Sequence, residues 1–283
     1  MDQGLRLEFS PALGGLERIE GVVALPYFAR HTHDTYGFGL VEQGVNRSFV
    51  DGAWQDAGAG QLCAITAGEP HASEPVDGAG FTYRCLYPTS KQLEESGRGL
   101  AERLGPGTIV LPAVFQDPVL AARLRRFFAA ASAEVGLLEQ EELLASCLAR
   151  LLQRHARARV VERTPRRVDR AVSRARELLA AQIEAPPSLT ELAAAVEMNP
   201  YGLLRAFTRA EGLPPHAFVV QLRVDRARRL LREGWLASDV AAVLGFADQA
   251  HLTRQFRRRV GVTPAAYARA AVVAAFRTSS RQG

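Results

Sequence analysis

Two groups of side chains have the types and spacing to do chemistry. The first lies in Ala237–Tyr267, ASDVAAVLGFADQAHLTRQFRRRVGVTPAAY. Leu252 and Phe256 are four apart and so share one face of a predicted helix. The other face then carries Gln249, Thr253, Arg254, Arg257 and Arg258. In a DNA major groove, Gln can make paired bonds to adenine and Arg to guanine. Further Arg side chains suit phosphates, which position a protein without specifying sequence. The second group is Arg30-His31-Thr32-His33 with His71 downstream. Imidazoles can ligate Zn²⁺ or Fe²⁺, or donate N–H groups to an anionic small molecule.

The elements around the first group form a helix-turn-helix pattern. An apolar helix ends near Leu244, Gly245-Phe246 makes a turn, and Asp248 can N-cap the next helix. Gly261 stops that helix and Thr263-Pro264 blocks its continuation. The pattern occurs twice. At an offset of 49, Leu203, Arg205, Phe207, Arg209, Gly212, Pro215 and Phe218 match Leu252, Arg254, Phe256, Arg258, Gly261, Pro264 and Tyr267. Upstream of the turn the offset is 48, so the second turn holds one extra residue. In the first copy, Ser188 and Glu191 form a capping box and Asn199-Pro200 starts a helix over about 200–211. Its outward face carries Tyr201, Gly202, Leu204, Arg205, Thr208 and Arg209. A longer helix, about 215–233, spaces the two copies.

The 283 residues suffice for two modest domains, and charge divides them. Residues 1–155 hold 13 Lys/Arg against 19 Asp/Glu, whereas residues 156–283 hold 22 Arg against 11. Only the second half is therefore suited to meet a polyanion. The opening MDQGLRLEFS lacks a signal-peptide pattern, and no apolar run is long enough to span a bilayer. Cys63, Cys85 and Cys147 are too few and too widely spaced for a disulfide framework, which fits a reducing cytoplasm.

Residues 1–88 read as short strands, including 37–41, 47–50 and 82–86. Turn signals at Gln43-Gly44, Asp51-Gly52, Ala57-Gly58 and Asp77-Gly78 separate them, as in a sandwich or barrel. His31, His33 and His71, with the Gly-containing stretch before His71, resemble the two half-motifs of a cupin jelly roll. Thr66 stands where that pattern has Pro, and Glu42 lies too far from His33 to be its metal-ligand Glu. The expectation is therefore no metal and no cofactor, with the histidines lining an effector pocket. Arg30, His31, His33, Tyr36, His71 and Tyr83 are the effector-binding candidates, with Trp54 and Arg84 as further ones. For each, packing or plain surface exposure is the competing explanation. Residues 90–155 turn helical, with Asp117-Pro118 as a helix start and a wide apolar stripe over about 138–157 that includes Cys147.

GFADQAHLTRQFRRRVGVTPAAYAR, together with SLTELAAAVEMNPYGLLRAFTRAEGLPPHAF, resembles the signature region of the AraC/XylS bacterial transcription regulators. The resemblance implies two reading helices joined by a long helix and entering successive major-groove segments about 34 Å apart. Carried over by position, the base-contacting residues are Tyr201, Leu204 and Arg205, then Gln249, Ala250 and Arg254. Thr208, Arg209, Thr253, Arg257 and Arg258 complete the DNA-binding set. Leu204 and Ala250 replace common polar readers and leave thymine methyl contact as an option.

The expected fold is a multidomain α+β chain. It comprises a cupin-like effector-sensing domain (1–90), a helical extension open to dimerisation (91–157) and a linker (158–167). An all-α DNA-binding domain with two helix-turn-helix units (168–270) and a tail (271–283) follow. The expected function is effector-controlled transcription regulation, more often activation. The expected partners are double-stranded DNA, a small-molecule effector, RNA polymerase for an activator and a second copy of the chain, with no membrane. The rival readings are a metal-dependent cupin enzyme fused to a DNA-binding domain and a regulator that needs no ligand.

Overall fold

A computed structural model describes residues 4–23, 28–76, 80–96, 108–133, 136–159 and 167–279. Contacts divide the chain into two compact units, the first drawn mostly from residues 1–161 and the second mostly from 162–272.

The first unit is an antiparallel sheet backed by helices. Its strands are β1 (Arg6–Ser10), β2 (Leu16–Val23), β3 (Gly37–Val50), β4 (Ala53–Gly58), β5 (Leu62–Ile65), β6 (Ala72–Pro75), β7 (Phe81–Tyr87) and β9 (Val114–Phe115). The main path runs β1-β2-β7-β3-β5-β9, with β4 and β6 also paired to β3. The long β3 serves two sets of partners. Its first part pairs with β7 and β5, and from Val45 onward it pairs with β4 and β6. Gln43-Gly44, predicted as a turn, is instead the place where β3 changes partners. A bulge lies between Val41 and Gln43, and Gly44 has φ +74°. A Cβ on Gly44 would sit 2.4 Å from the Gly80 carbonyl oxygen, so only glycine fits.

Asp51-Gly52 is a true hairpin turn, with both φ values positive as a type I′ turn requires. Gly58 ends β4 and opens a turn, its carbonyl accepting the Gln61 N–H at 3.0 Å, and Asp77-Gly78 lies outside the described residues.

One face of the sheet packs on α2 (Pro118–Ser132) and α3 (Leu137–His155). Phe38, Leu40, Leu62 and Leu86 meet Leu120, Leu124, Phe127, Leu148 and Leu151 in one core, and Cys147 is buried among them. Each such apolar side chain contributes roughly 1.5–3 kcal/mol on burial. Asp117 caps α2 through the Leu120 N–H at 2.9 Å, as its position before Pro118 predicts. It also accepts from Arg150 Nε at 2.9 Å and lies 2.9 Å from His155 Nε2.

The segment expected to be a helical extension also contributes strands. β9 joins the sheet by pairing Val114-Phe115 with Leu62-Cys63. β8 (Thr108–Val110) pairs with β10 (Arg157–Arg159), so residues 158 and 159 are strand rather than linker. A short helix, α1 (Ser90–Ser96), follows β7.

The second unit holds α4 (Arg167–Ala181), α5 (Leu189–Ala195), α6 (Pro200–Glu211), α7 (Pro215–Arg232), α8 (Ala237–Val243), α9 (Gln249–Val260) and the start of α10 (Pro264–Ser279). Val172, Ala175, Leu179, Leu192, Leu203, Phe207 and Val219 form its first core cluster. Among the described residues, no helix is long and apolar enough to cross a membrane.

Candidate DNA-reading surface and effector pocket

The repeat read from the sequence is a repeat of structure. Leu203 and Phe207 on α6, and Leu252 and Phe256 on α9, are fully buried. Phe207 meets Phe218 edge-on at 5.4 Å, and Phe256 meets Tyr267 edge-on at 5.3 Å. Both helices end on a left-handed glycine, Gly212 or Gly261. Both begin on a side-chain cap, Asn199 to the Gly202 N–H at 2.7 Å and Asp248 to the His251 N–H at 2.5 Å.

The turns before the two helices match bond for bond. Met198 N–H donates to Ala193 O and Phe246 N–H to Ala241 O, each at 3.0 Å. This is the closure of a helix C-terminus through a left-handed residue. The left-handed residue is Glu197 (φ +54°) in the first copy and Gly245 (φ +72°) in the second. The extra residue of the second copy is Ala247, between Phe246 and the cap Asp248.

The outward faces are polar and basic. Tyr201, Arg205 and Arg209 on α6 are exposed, as are Gln249, Ala250, Arg254 and Arg258 on α9. Leu204, Thr208, Thr253 and Arg257 are partly buried. Tyr201 is 78 % exposed, an aromatic left open at the start of α6. Thr253 is the least available of the predicted readers, because its hydroxyl donates to the Gln249 carbonyl at 2.8 Å.

No ion pair holds Arg205, Arg209, Arg254 or Arg258 among the described residues, whereas Arg47, Arg84, Arg125 and Arg150 of the first unit are all paired with carboxylates. Unpaired guanidinium groups on two matching helices form a surface for phosphate and base edges. Gly202, on the outward face of α6, has a local use. A Cβ there would sit 3.0 Å from the Asn199 side chain that caps the helix.

Arg223 was not singled out by sequence reasoning. It is buried on α7, donating through Nε to Ile183 O at 2.8 Å and through Nη2 to Glu184 O at 3.1 Å. Its guanidinium also lies over the Phe246 ring at 5.7 Å. It thus joins the chain after α4, the long helix and the second turn. The only trace in the sequence is an Arg inside the apolar run VVQLRV.

Of the effector candidates, the structure brings His33 and His71 together. His31, His33 and His71 are each buried. The His33 ring meets His71 at 4.8 Å and Tyr87 at 5.5 Å, edge-on in both cases. The loop before His71 is tied to His33 by a bond from Gly68 N–H to the His33 carbonyl at 2.7 Å. Thr66, standing in place of Pro, accepts the Leu111 N–H at 3.2 Å. Burial pushes the His71 pKa down to about 4, against the opposing bond to Glu69 O, so the ring is neutral at pH 7.

Tyr83 is buried too, and burial together with Cys85 and Cys63 raises its pKa. Those thiols are themselves raised by burial, Cys63 to about 11, which makes them inert.

Tyr36 is not brought to the histidines. It sits in the helix-side core and donates to Ile109 O at 3.2 Å, with its pKa raised by burial and by Glu94. Its place is structural because the residues of β3 alternate faces and Phe38 and Leu40 share its side. Arg30 is exposed, and Trp54 is half exposed against Phe49. Arg84 and Tyr83 border an open groove of about 590 Å³. Its charges are internally matched, since Glu42 accepts from both Arg84 and Arg125.

Two helix-turn-helix units on one helical domain, preceded by a β-sheet domain, define a DNA-binding regulator with a sensing domain. Residues 13–151 match the AraC-like ligand binding domain and residues 192–270 match a helix-turn-helix domain. The chain belongs to the AraC family of helix-turn-helix transcriptional regulators.

It is 28% identical to the uncharacterized HTH-type transcriptional regulator YbfI of Bacillus subtilis over 83% of this chain and 84% of that protein. It is 24% identical to the HTH-type transcriptional activator RhaS of Klebsiella pneumoniae, over 84% and 86%. The crystal structure of ToxT from Vibrio cholerae shares the fold at TM-score 0.51 and 9% identity, over 94% of this chain and 96% of that one. These relatives are regulators of transcription rather than enzymes.

Proposed function

We propose that this chain is an effector-controlled activator that reads two half-sites through α6 and α9. The observation that carries this reading is the pair of exposed arginines at one repeat position, Arg205 and Arg254, which no ion pair holds among the described residues. In this reading Arg205 and Arg254 contact bases, with Tyr201, Leu204, Gln249 and Ala250 beside them. Arg209, Arg257 and Arg258 contact phosphate, and Thr208 and Thr253 lie along the backbone. Activation is favoured by the relative named as an activator, and an activator contacts RNA polymerase. The first unit binds a small molecule, and the effector's differential affinity for two arrangements of the protein biases DNA binding. The α2–α3 helices are the candidate dimer surface, and the protein acts in the cytoplasm without catalysing a reaction.

The effector is not carried over from the neighbour ToxT, which is described bound to an unsaturated fatty acid, because that likeness is one of fold. The test is genome-wide DNA selection with purified protein, with and without metabolite extract. A motif with two half-sites about 10 base pairs apart supports the reading. Affinity governed only by salt, with no motif, overturns it.

A further inference from the structure

The two faces of the sheet in the first unit differ in bulk. Toward α2 and α3, strands β3, β5 and β7 present Phe38, Leu40, Leu62 and Leu86. Successive residues of a strand alternate faces, so Gly39, Cys63 and Cys85 lie on the other side. Gly39 pairs with Cys63 on one flank and with Cys85 on the other, which makes one row of small residues across three strands. We infer that the space over this row takes an uncharged small molecule that presents a hydroxyl group to Asn46. The inference rests on the reading of the first unit as an effector-binding domain and names the class of effector.

The side chains around the row are desolvated without being fully covered. Burial pushes the Cys63 thiol up to about 11, yet part of its surface stays open. The same holds for Tyr87, whose pKa burial also raises. Groups in that condition line an enclosed space. Beyond its bulge, β3 pairs with β4 and β6, and this brings Asn46 back to the row, with Nδ2 3.9 Å from Cys63 Sγ.

Asn46 is 5% exposed, and its amide is used on one side only. Nδ2 donates to Ser48 Oγ at 3.1 Å and to Cys63 Sγ. The Cys63 thiol in turn donates to Gly39 O at 3.8 Å, and Ser48 Oγ lies 3.0 Å from Ser73 Oγ. Asn46 Oδ1 has no donor among the described residues. A buried acceptor left in this state is costly, and a ligand O–H removes the cost. Tyr83 shares the face of Cys85, and its buried hydroxyl makes no bond of good geometry although Tyr87 stands beside it. A hydroxyl group both donates and accepts, so one such group suits Asn46 Oδ1 and the Tyr83 O–H together.

Charge narrows the class further. Asn46, Ser48 and Ser73 carry none, and burial keeps Cys63 and Tyr83 protonated at pH 7. A carboxylate or phosphate placed among them would lose its water and gain no cation in return. Glu17, buried and directly opposite Tyr87 on β2, would repel it. An ammonium could donate to Asn46 but could accept nothing from Tyr83. All these residues belong to the first unit and fall within the match to the ligand-binding domain.

The test soaks crystals of the full-length protein separately in glycerol, sodium acetate and methylammonium chloride. Glycerol is expected within hydrogen-bond distance of Asn46 Oδ1, with neither ion there. Water alone, acetate or methylammonium in that place overturns the inference. Two variants supply a second readout. Tyr83→Phe deletes only the unpartnered hydroxyl, so the ligand-free protein should melt no lower than wild type. The amount of metabolite extract needed to half-shift DNA binding should rise about tenfold in Tyr83→Phe and in Asn46→Leu, the loss of one hydrogen bond to the ligand. A lower Tm of Tyr83→Phe with an unchanged response to extract means that the hydroxyl is structural, and overturns the inference. A wild type that responds to no extract overturns the effector reading instead, and the soaks still decide what the space accepts.

Discussion

Gly245→Ala should unfold the second unit far more readily than its small size suggests. Gly245 has φ +72°, and an L-residue in that region costs about 1–2 kcal/mol. The added methyl would also lie 2.2 Å from the Glu184 carbonyl oxygen and 2.9 Å from Arg223 Nη2. That carbonyl accepts from Arg223 and cannot retreat without breaking the bond. Overpacking of this kind costs typically about 1–3 kcal/mol more. The expected total is about 2–5 kcal/mol, or a fall in Tm of at least about 8 °C for a domain near one hundred residues. Gly234→Ala is the matched control. Its φ is +91° and nothing lies within 4 Å of the added carbon, so it pays only the conformational cost. Differential scanning calorimetry of both full-length variants, with operator DNA to mark the DNA-binding transition, reads the difference. Equal losses from the two substitutions would mean that the Glu184 carbonyl is not packed against the turn.

Further outcomes follow from the same contacts. Arg254→Ala is expected to weaken specific DNA binding by about 1–3 kcal/mol and to relax preference at one base pair in a binding-site selection. Uniform weakening across all sequences would mean phosphate contact only. Asn199→Ala should cost about 1 kcal/mol in thermal stability by removing the cap on α6, and no loss would show that the cap is idle.

Asp117→Asn keeps a capping oxygen but removes the charge that Arg150 and His155 share, and should cost about 2–3 kcal/mol because Arg150 is partly solvated. Burial alone would raise the Asp117 pKa, but Arg150, His155 and the Leu120 N–H hold it well below the usual range. Its contribution is therefore complete above about pH 4 and is lost as pH falls below that, so the variant should lose less stability than wild type in an acid titration.

What was legible in the sequence was local. Asn199, Asp248, Gly212 and Gly261 mark helix ends by their own chemistry, and Leu203/Phe207 and Leu252/Phe256 mark inner faces by spacing. The repeat offset changing from 48 to 49 even located the longer turn at Ala247. The illegible parts depend on residues far apart. β9 has only two residues and β8 and β10 have three each, too short to show a period. Gln43-Gly44 resembles a turn because glycine frees the backbone for a bulge as readily as for a hairpin. Arg223 binds backbone carbonyls about 40 positions away, and carbonyls leave no mark in a sequence.

The junction at Arg223 also bears on the DNA. The helix that carries it runs between α6 and α9, and the same guanidinium fastens the second turn to the chain after α4. A protein with a loose joint there could adjust to operators of different spacing. If α6 and α9 read DNA as proposed, a joint fastened by Arg223 makes them a ruler with fixed marks, and the adjustment passes to the operator. An operator whose half-sites are one base pair out of step would have to twist or bend to be read at both ends. Its affinity would then depend on the stiffness of the spacer, in base pairs that no side chain touches.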